Sequence, residues 1–186
     1  MPLSKDDLLE DLRRLGVGPG MTLMVHSSLS ALGEVEGGAN TVIEALLEAI
    51  GPTGTLSMPA MGGGSPFNVE TSPVTVGVIA EAFRHFPGVK RSIHPTHSTC
   101  ALGPKADWLL DGQIDQPTAI GGESPCGRLS RLREGYVLLL GVDQDRNTLL
   151  HYPEEIVRAP YLSTIERKYL DEAGVERTKV LHHFPG

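Results

Sequence analysis

Apolar positions along the chain fall into short runs of two different periods, separated by breaks rich in glycine and proline. Ser4-Lys5-Asp6-Asp7 has the form of a capped helix start. Leu8, Leu9, Leu12 and Leu15 then recur at helical spacing until Gly16 closes the segment. The run Met21-Thr22-Leu23-Met24-Val25-His26 is too short for a helix and reads as a buried strand. From Asn40 to Ile50, Val42, Ile43, Leu46, Leu47 and Ile50 share one helical face, and Gly51-Pro52 ends it. Gly54 to Pro59 reads as a second strand cut by its proline, and the glycine-rich stretch Met61 to Ser65 reads as mobile.

Further along, Val76 to Phe86 predicts a helix stopped by Pro87-Gly88, and Ala106 to Leu110 and Arg128 to Arg133 predict short helices. Tyr136 to Val142 is the clearest strand. It is apolar on both faces, which predicts a central strand covered by helices on either side. Asn147 to Arg158 predicts a helix despite Pro153. Strands alternating with helices predict an α/β fold, a layered domain.

The length of 186 residues fits one compact domain over 1–186, and 40% apolar with 21% charged residues is ordinary for a soluble globular protein. The net charge of −7, without any run of Lys or Arg, argues against a nucleic-acid partner. It suits a cationic small-molecule substrate, and it equally suits solubility alone. The start is polar and acidic rather than a basic region followed by an apolar stretch, and no run approaches the roughly 18 apolar residues of a membrane span. Cys100 and Cys126 stand far apart without CxxC spacing, so they read as reduced thiols of a cytoplasmic protein with no membrane association.

Polar residues gather where strands end. The first cluster, His26-Ser27-Ser28-Leu29-Ser30-Ala31-Leu32-Gly33, offers hydroxyls and backbone N–H groups to a phosphate or carbonyl, and it would equally serve as a turn and helix cap. The second, Arg91 to Ser98, holds His94 and His97 among hydroxyls. Zinc there would need Cys100, His26 or His151 as further ligands, and HxxH in a proline-containing loop does not put both rings on one face. The third runs from Asp143 to Glu155. His151 stands three residues before Glu154, so on a helix the carboxylate can fix the imidazole tautomer and raise its basicity.

Those three clusters, in that order, resemble the aminoglycoside 3-N-acetyltransferase family. The resemblance runs through Val25 to Gly33, Val35 to Gly38, Ile50-Gly51-Pro52, Met58-Pro59, Phe83-Arg84, Arg91-Ser92, His94-Pro95, Ser98, Gly122 to Leu129, Leu139-Leu140-Gly141, and Thr148 to His151 with Glu154. It covers roughly residues 6 to 160, and its specificity lies in the ordered set rather than in any one motif. The fold it implies is an α/β layered domain with a central mixed sheet flanked by helices. The activity it implies is transfer of acetyl from acetyl-CoA (coenzyme A) to the 3-amino group of an aminoglycoside or similar amino sugar, with no metal.

Under the same resemblance, His151 is the general base and Glu154 its supporting carboxylate. Ser27, Ser28, Leu29, Ser30 and Ser98 contact coenzyme A, while Asp143, Asp145, Glu123 and Glu155 are the acidic side chains expected to draw the substrate's ammonium groups. The linker between Met58-Pro59 and Pro66-Phe67 is shorter than in the resistance enzymes, and family members continue past Gly186, which implies a chain lacking the C-terminal part of the family fold. The residues alone leave two other readings open, a metal-dependent hydrolase built on His26, His94, His97 and His151, and a non-catalytic coenzyme A-binding fragment. They leave the oligomeric state open as well.

Overall fold

The structure is a computed structural model that describes residues 1–183. The helices are α1 (Lys5–Arg14), α2 (Ala39–Ile50), α3 (Val78–Arg84), α4 (Ala106–Leu110), α5 (Pro125–Leu129) and α6 (His151–Ile156). The strands are β1 (Thr22–Ser27), β2 (Thr55–Pro59), β3 (Lys90–Arg91), β4 (Thr99–Leu102), β5 (Gly135–Leu140), β6 (Ser163–Leu170) and β7 (Glu176–His183).

The first five strands form one mixed sheet in the order β3-β4-β2-β1-β5. β1 runs parallel to both β2 and β5, while β4 is antiparallel to β2 and to β3. Alternation along β1 divides its side chains between two layers. Leu23 and Val25 face one core with Leu56, Met58 and Cys100, closed by Leu8, Leu9 and Leu12 of α1, Ile43 and Leu46 of α2, and Phe83 of α3. Met24, on the other face, packs with Cys126 and Leu129 of α5 and with Ala119 and Ile120. Ala101 of β4 meets Ala106 and Leu110 of α4 on that second face. The α/β architecture with a central mixed sheet between helices is therefore present as expected, and each fully buried Leu or Ile in the first core contributes about 1.5–3 kcal/mol.

Local sequence explains the boundaries. Ser4 and Asp7 form a reciprocal capping box that starts α1. The segment expected as a helix over Arg128–Arg133 begins earlier, because Ser124 caps it by accepting from the Gly127 N–H at 3.1 Å and Pro125 occupies the first turn. The helix expected over 147–158 divides into a single 3₁₀ turn, Thr148–Leu150, capped by Asn147, and α6. Pro153 is tolerated because the first N–H groups of a helix have no intrahelical acceptor.

One strand departs from its expected place. β5 lies at the sheet's edge, paired only with β1 among the described residues, and its side chains are at most half-buried, with Tyr136 exposed. Two-sided apolarity alone does not make a strand central; the pairing decides. The β6–β7 hairpin was not foreseen. Glu166, Arg167 and Lys168 break its alternation, so it carries no period-2 signal.

Candidate active site

Strands β1, β2 and β5 are parallel, so the segments that follow Ser27, Pro59 and Leu140 leave the sheet at one end, and the loop from Ser92 to Ser98 enters β4 at that same end. The crevice beyond the carboxyl ends of parallel strands is where open α/β sheets bind ligands. The serine turn begins as Ser28 donates its N–H to the Leu140 carbonyl at 3.0 Å, then winds one 3₁₀ helix over Leu29–Leu32. Ser28 Oγ and Ser30 Oγ lie 3.1 Å apart, Ser30 is exposed, and the Leu29 side chain packs on the first core. Gly141 sits at φ +72°, and a Cβ there would come within 2.9 Å of Ala31 Cβ and 3.1 Å of the Ser28 carbonyl. Only glycine lets the end of β5 close so tightly on the serine turn.

From Gly141 the chain runs through an exposed acidic loop to α6, whose Tyr152 and neighbouring Leu149 pack against the second core. This places His151 on the first turn of α6 with Glu154 one turn on, and His151 Nδ1 meets Glu154 Oε2 at 2.5 Å. Nδ1–H donates to the carboxylate, which assigns the lone pair of the neutral ring to Nε2. Both side chains remain accessible, at 41% and 32%. Hydrogen bonds from His151 first and from the Tyr161 hydroxyl second hold the Glu154 carboxyl below its ordinary value, so the carboxylate stays charged.

The other histidines differ in kind. Burial pushes His26 down to about 4 and His94 down to about 3, so both are neutral and weak as bases near pH 7. His94 Nδ1 accepts the N–H of His97 at 3.0 Å, and His97 Nδ1 lies 2.9 Å from Thr96 Oγ1. No three His, Cys, Asp or Glu side chains come together to hold a metal among the described residues, which removes the geometric basis of a hydrolase built on His26, His94, His97 and His151. Burial raises both thiols to about 12, and Cys126 Sγ rests 3.7 Å from Met24 Sδ inside the second core. Neither is a nucleophile.

The remaining residues expected to meet ligands stand in different surroundings. Ser98 is buried, donating to the Ala60 carbonyl at 2.6 Å and accepting from Arg91 Nε at 3.1 Å, so its hydroxyl clamps the loop after β2. Glu155 is buried on the inner side of α6 and meets His182 Nδ1 at 3.4 Å. Glu123 is exposed, but Arg131 at 2.7 Å and Arg128 at 3.4 Å compensate its charge. Asp143 and Asp145 do lie exposed on the loop before α6, with Arg146 3.2 Å from Asp145.

The aminoglycoside 3-N-acetyltransferase family model matches residues 24–184. The chain belongs to this family. It is 43% identical over 163 residues to aminoglycoside N(3)-acetyltransferase IV of Salmonella, a stretch that takes in 84% of the chain and 60% of that relative. The chain thus spans less than two thirds of that relative's length. Among solved structures, AAC-IIIb in binary complex with CoASH superposes with TM-score 0.90 at 29% identity, covering all of this chain and 77% of that one. Aminoglycoside acetyltransferase AAC(3)-IVa, crystallised as a variant in complex with a gentamicin, also superposes at 0.90, with 37% identity, over 100% of this chain and 71% of that one.

Within this member of the acetyltransferase family, two partners of α6 lay outside the residues singled out in sequence, Tyr161 against Glu154 and His182 against Glu155. No periodic pattern links them to the helix, because both contacts are made after the chain has turned back on itself.

Proposed function

We propose that this chain transfers an acetyl group from acetyl-coenzyme A to the 3-amino group of an aminoglycoside or a similar amino sugar, with His151 as general base. The observation that carries the reading is the 2.5 Å His151–Glu154 pair, accessible at the sheet end where the serine turn also lies. His26 and His94 are buried and held neutral, and His151 meets its carboxylate at 2.5 Å, shorter than the 3.3 Å of His85 to Glu81 and the 3.4 Å of His182 to Glu155.

In this reading the acceptor amine attacks in its neutral form, and Nε2 of His151 takes the proton its nitrogen sheds as the bond to carbon forms. The C–N bond forms as the amine adds to the thioester carbonyl, and collapse of the tetrahedral adduct breaks the C–S bond. The thiolate takes the proton from the imidazolium, and Glu154 stabilises that cation between the two transfers. Ser27, Ser28 and Ser30, with the backbone of Leu29, supply hydroxyls and N–H groups for coenzyme A and for the developing oxyanion. Asp143 and Asp145 draw the ammonium groups of the acceptor toward α6.

Thiol release from acetyl-CoA, with and without a panel of aminoglycosides, tests the reading on the chain and its His151→Ala variant. The expected result is drug-dependent release that drops about 10²–10⁴-fold in the variant while coenzyme A affinity is kept. Release that survives the substitution unchanged removes His151 from the mechanism.

A further inference from the structure

Arg91 opens the second polar cluster of the sequence, and the proposed acetyl transfer gives it no role. Its half-buried guanidinium forks into three segments. Nε donates to Ser98 Oγ at 3.1 Å and Nη2 to the Ala60 carbonyl at 2.7 Å, while Nη1 donates to the Ser72 carbonyl at 2.5 Å and the Val69 carbonyl at 3.3 Å. All four acceptors are neutral oxygens, and the guanidinium carbon lies 4.9 Å from the centre of the fully buried Phe67 ring. Taking a cation out of water to meet only neutral partners costs stability that an apolar side chain would not. What the guanidinium adds is placement, because its planar fork fixes several oxygens relative to one another, which a single ammonium does not.

The segment it places runs from Ala60 to Gly77. Apart from isolated bridges between Gly62 and Val74 and between Phe67 and Tyr169, it has no strand or helix of its own. Charged side chains of α3 hold it as well: the Val74 N–H donates to Glu81 Oε2 at 2.7 Å, and Arg84 Nη1 donates to the Glu70 carbonyl at 2.8 Å. The segment leaves the sheet at the end where the serine turn stands. On its return Gly77 passes the Ser27 carbonyl, whose oxygen lies 3.4 Å from where a Cβ on Gly77 would stand.

Loops beyond the carboxyl ends of parallel strands wall the ligand crevice, and a wall already in place spares the ligand the cost of ordering it. We propose that Arg91 is a positioning residue for coenzyme A: it fixes the segment from Ala60 to Gly77 beside the serine turn as a preformed wall on the cofactor's side of the crevice. This rests on the reading of Ser27, Ser28 and Ser30 as coenzyme A contacts. Protein oxygens take four of the five N–H donors of the guanidinium, so Arg91 acts through the segment rather than by touching the cofactor.

Arg91→Lys keeps the charge and loses the fork. It is measured on the full chain beside Phe67→Leu, which removes the ring under the guanidinium, and Leu46→Ala, which weakens the first core away from the segment. Coenzyme A binding by calorimetry and amide hydrogen exchange are the readouts. In Arg91→Lys the Ser72 and Thr75 amides, bonded to the Asn68 and Met61 carbonyls at 2.9 Å, exchange faster while those of α2 are unchanged. Kd for coenzyme A rises about tenfold. Phe67→Leu moves both readouts the same way by about threefold, and Leu46→Ala loses stability with its affinity kept. Where acetyl transfer is measured, KM for acetyl-CoA rises with Kd, while kcat stays within about twofold because His151 and Glu154 stand on α6.

Unchanged exchange in the segment overturns the proposal, as does an affinity kept while the segment loosens. An equal loss of affinity in Leu46→Ala also overturns it, since Arg91 would then matter for stability alone. Where Arg91→Lys fails to fold, Phe67→Leu decides, and a kept Kd there overturns the proposal. A parent chain that binds no coenzyme A removes the reading of the serine turn and this proposal together, whereas binding indifferent to Arg91→Lys removes this proposal alone.

Discussion

The two faces of the sheet are built to different standards. On one, α1, α2 and α3 close over Leu23, Val25, Leu56 and Met58, and Ile43, Leu46 and Phe83 reach zero exposure. On the other, a small cluster around Met24 is covered by one five-residue helix and by Leu149 and Tyr152, and it runs out into the half-exposed edge strand β5, the exposed Ile156 and Val157 of the α6 end, and the hairpin beyond. The candidate base and its carboxylate stand on the second face. A rigid, dry layer supports the sheet, and the more open layer leaves room for a base that has to meet a substrate. That division of labour is expected where function needs access and stability needs exclusion of water.

Acid titration gives the largest test of how dry the buried parts are. His26 and His94 have folded pKa values below the ordinary histidine value of 6.5, near 4 and 3, so the unfolded chain binds their protons first. The sign follows: the stability is fully present above about pH 6.5 and is lost as pH falls toward 4 for His26 and toward 3 for His94. Between pH 7 and 4.5 each histidine costs about 2–3 kcal/mol, read as a shift of the urea midpoint. His94→Gln keeps an acceptor for the His97 N–H and removes the titration, so its acid loss is smaller by that amount. A variant that loses stability with the same slope as the parent would mean that His94 is wet and the contrast weaker than drawn.

A matched pair of truncations measures the contrast directly. Leu46→Ala, in the closed layer at zero exposure, is expected to cost about 3–4 kcal/mol, whereas Leu138→Ala on the half-buried edge strand costs about half of that. Equal losses in chemical denaturation would show that β5 is as well enclosed as β1, in conflict with its edge position. Acetyl transfer per folded molecule, where it is measured, stays the same for Leu46→Ala.

The same division marks what could be read in the sequence. In the closed layer, helical spacing at Leu8, Leu9 and Leu12 and at Val42, Ile43 and Leu46 identifies α1 and α2 almost to the residue, because one face of each is buried and the other is wet. In the open layer that signal fades. Tyr136 to Val142 reads as a strand but not as an edge, since apolar residues on both faces describe half-burial as well as full burial. The His151–Glu154 pair was legible because i,i+3 spacing is local. The surroundings of Ser98 and Glu155 were not legible, because burial depends on segments distant in sequence: the Ala60 carbonyl and Arg91 for the first, His182 of the hairpin for the second. Tyr161 was invisible for the same reason, its approach to Glu154 arising from a turn that no composition rule would place at an arginine.

That turn supplies the smallest test. Arg158 holds φ 49° where glycine carries no Cβ penalty, so Arg158→Gly relieves about 1 kcal/mol of backbone strain. The added freedom of glycine in the unfolded chain offsets part of this, leaving a net gain of about a few tenths of a kcal/mol in thermal or urea denaturation. The folded turn keeps its two closing bonds, from the Arg158 and Ala159 N–H groups to the Glu155 and Glu154 carbonyls. If Arg158→Gly instead lowers stability, the turn is not strained, and the open layer is ordered by side-chain contacts around Arg158 in the way the closed layer is ordered by its leucines.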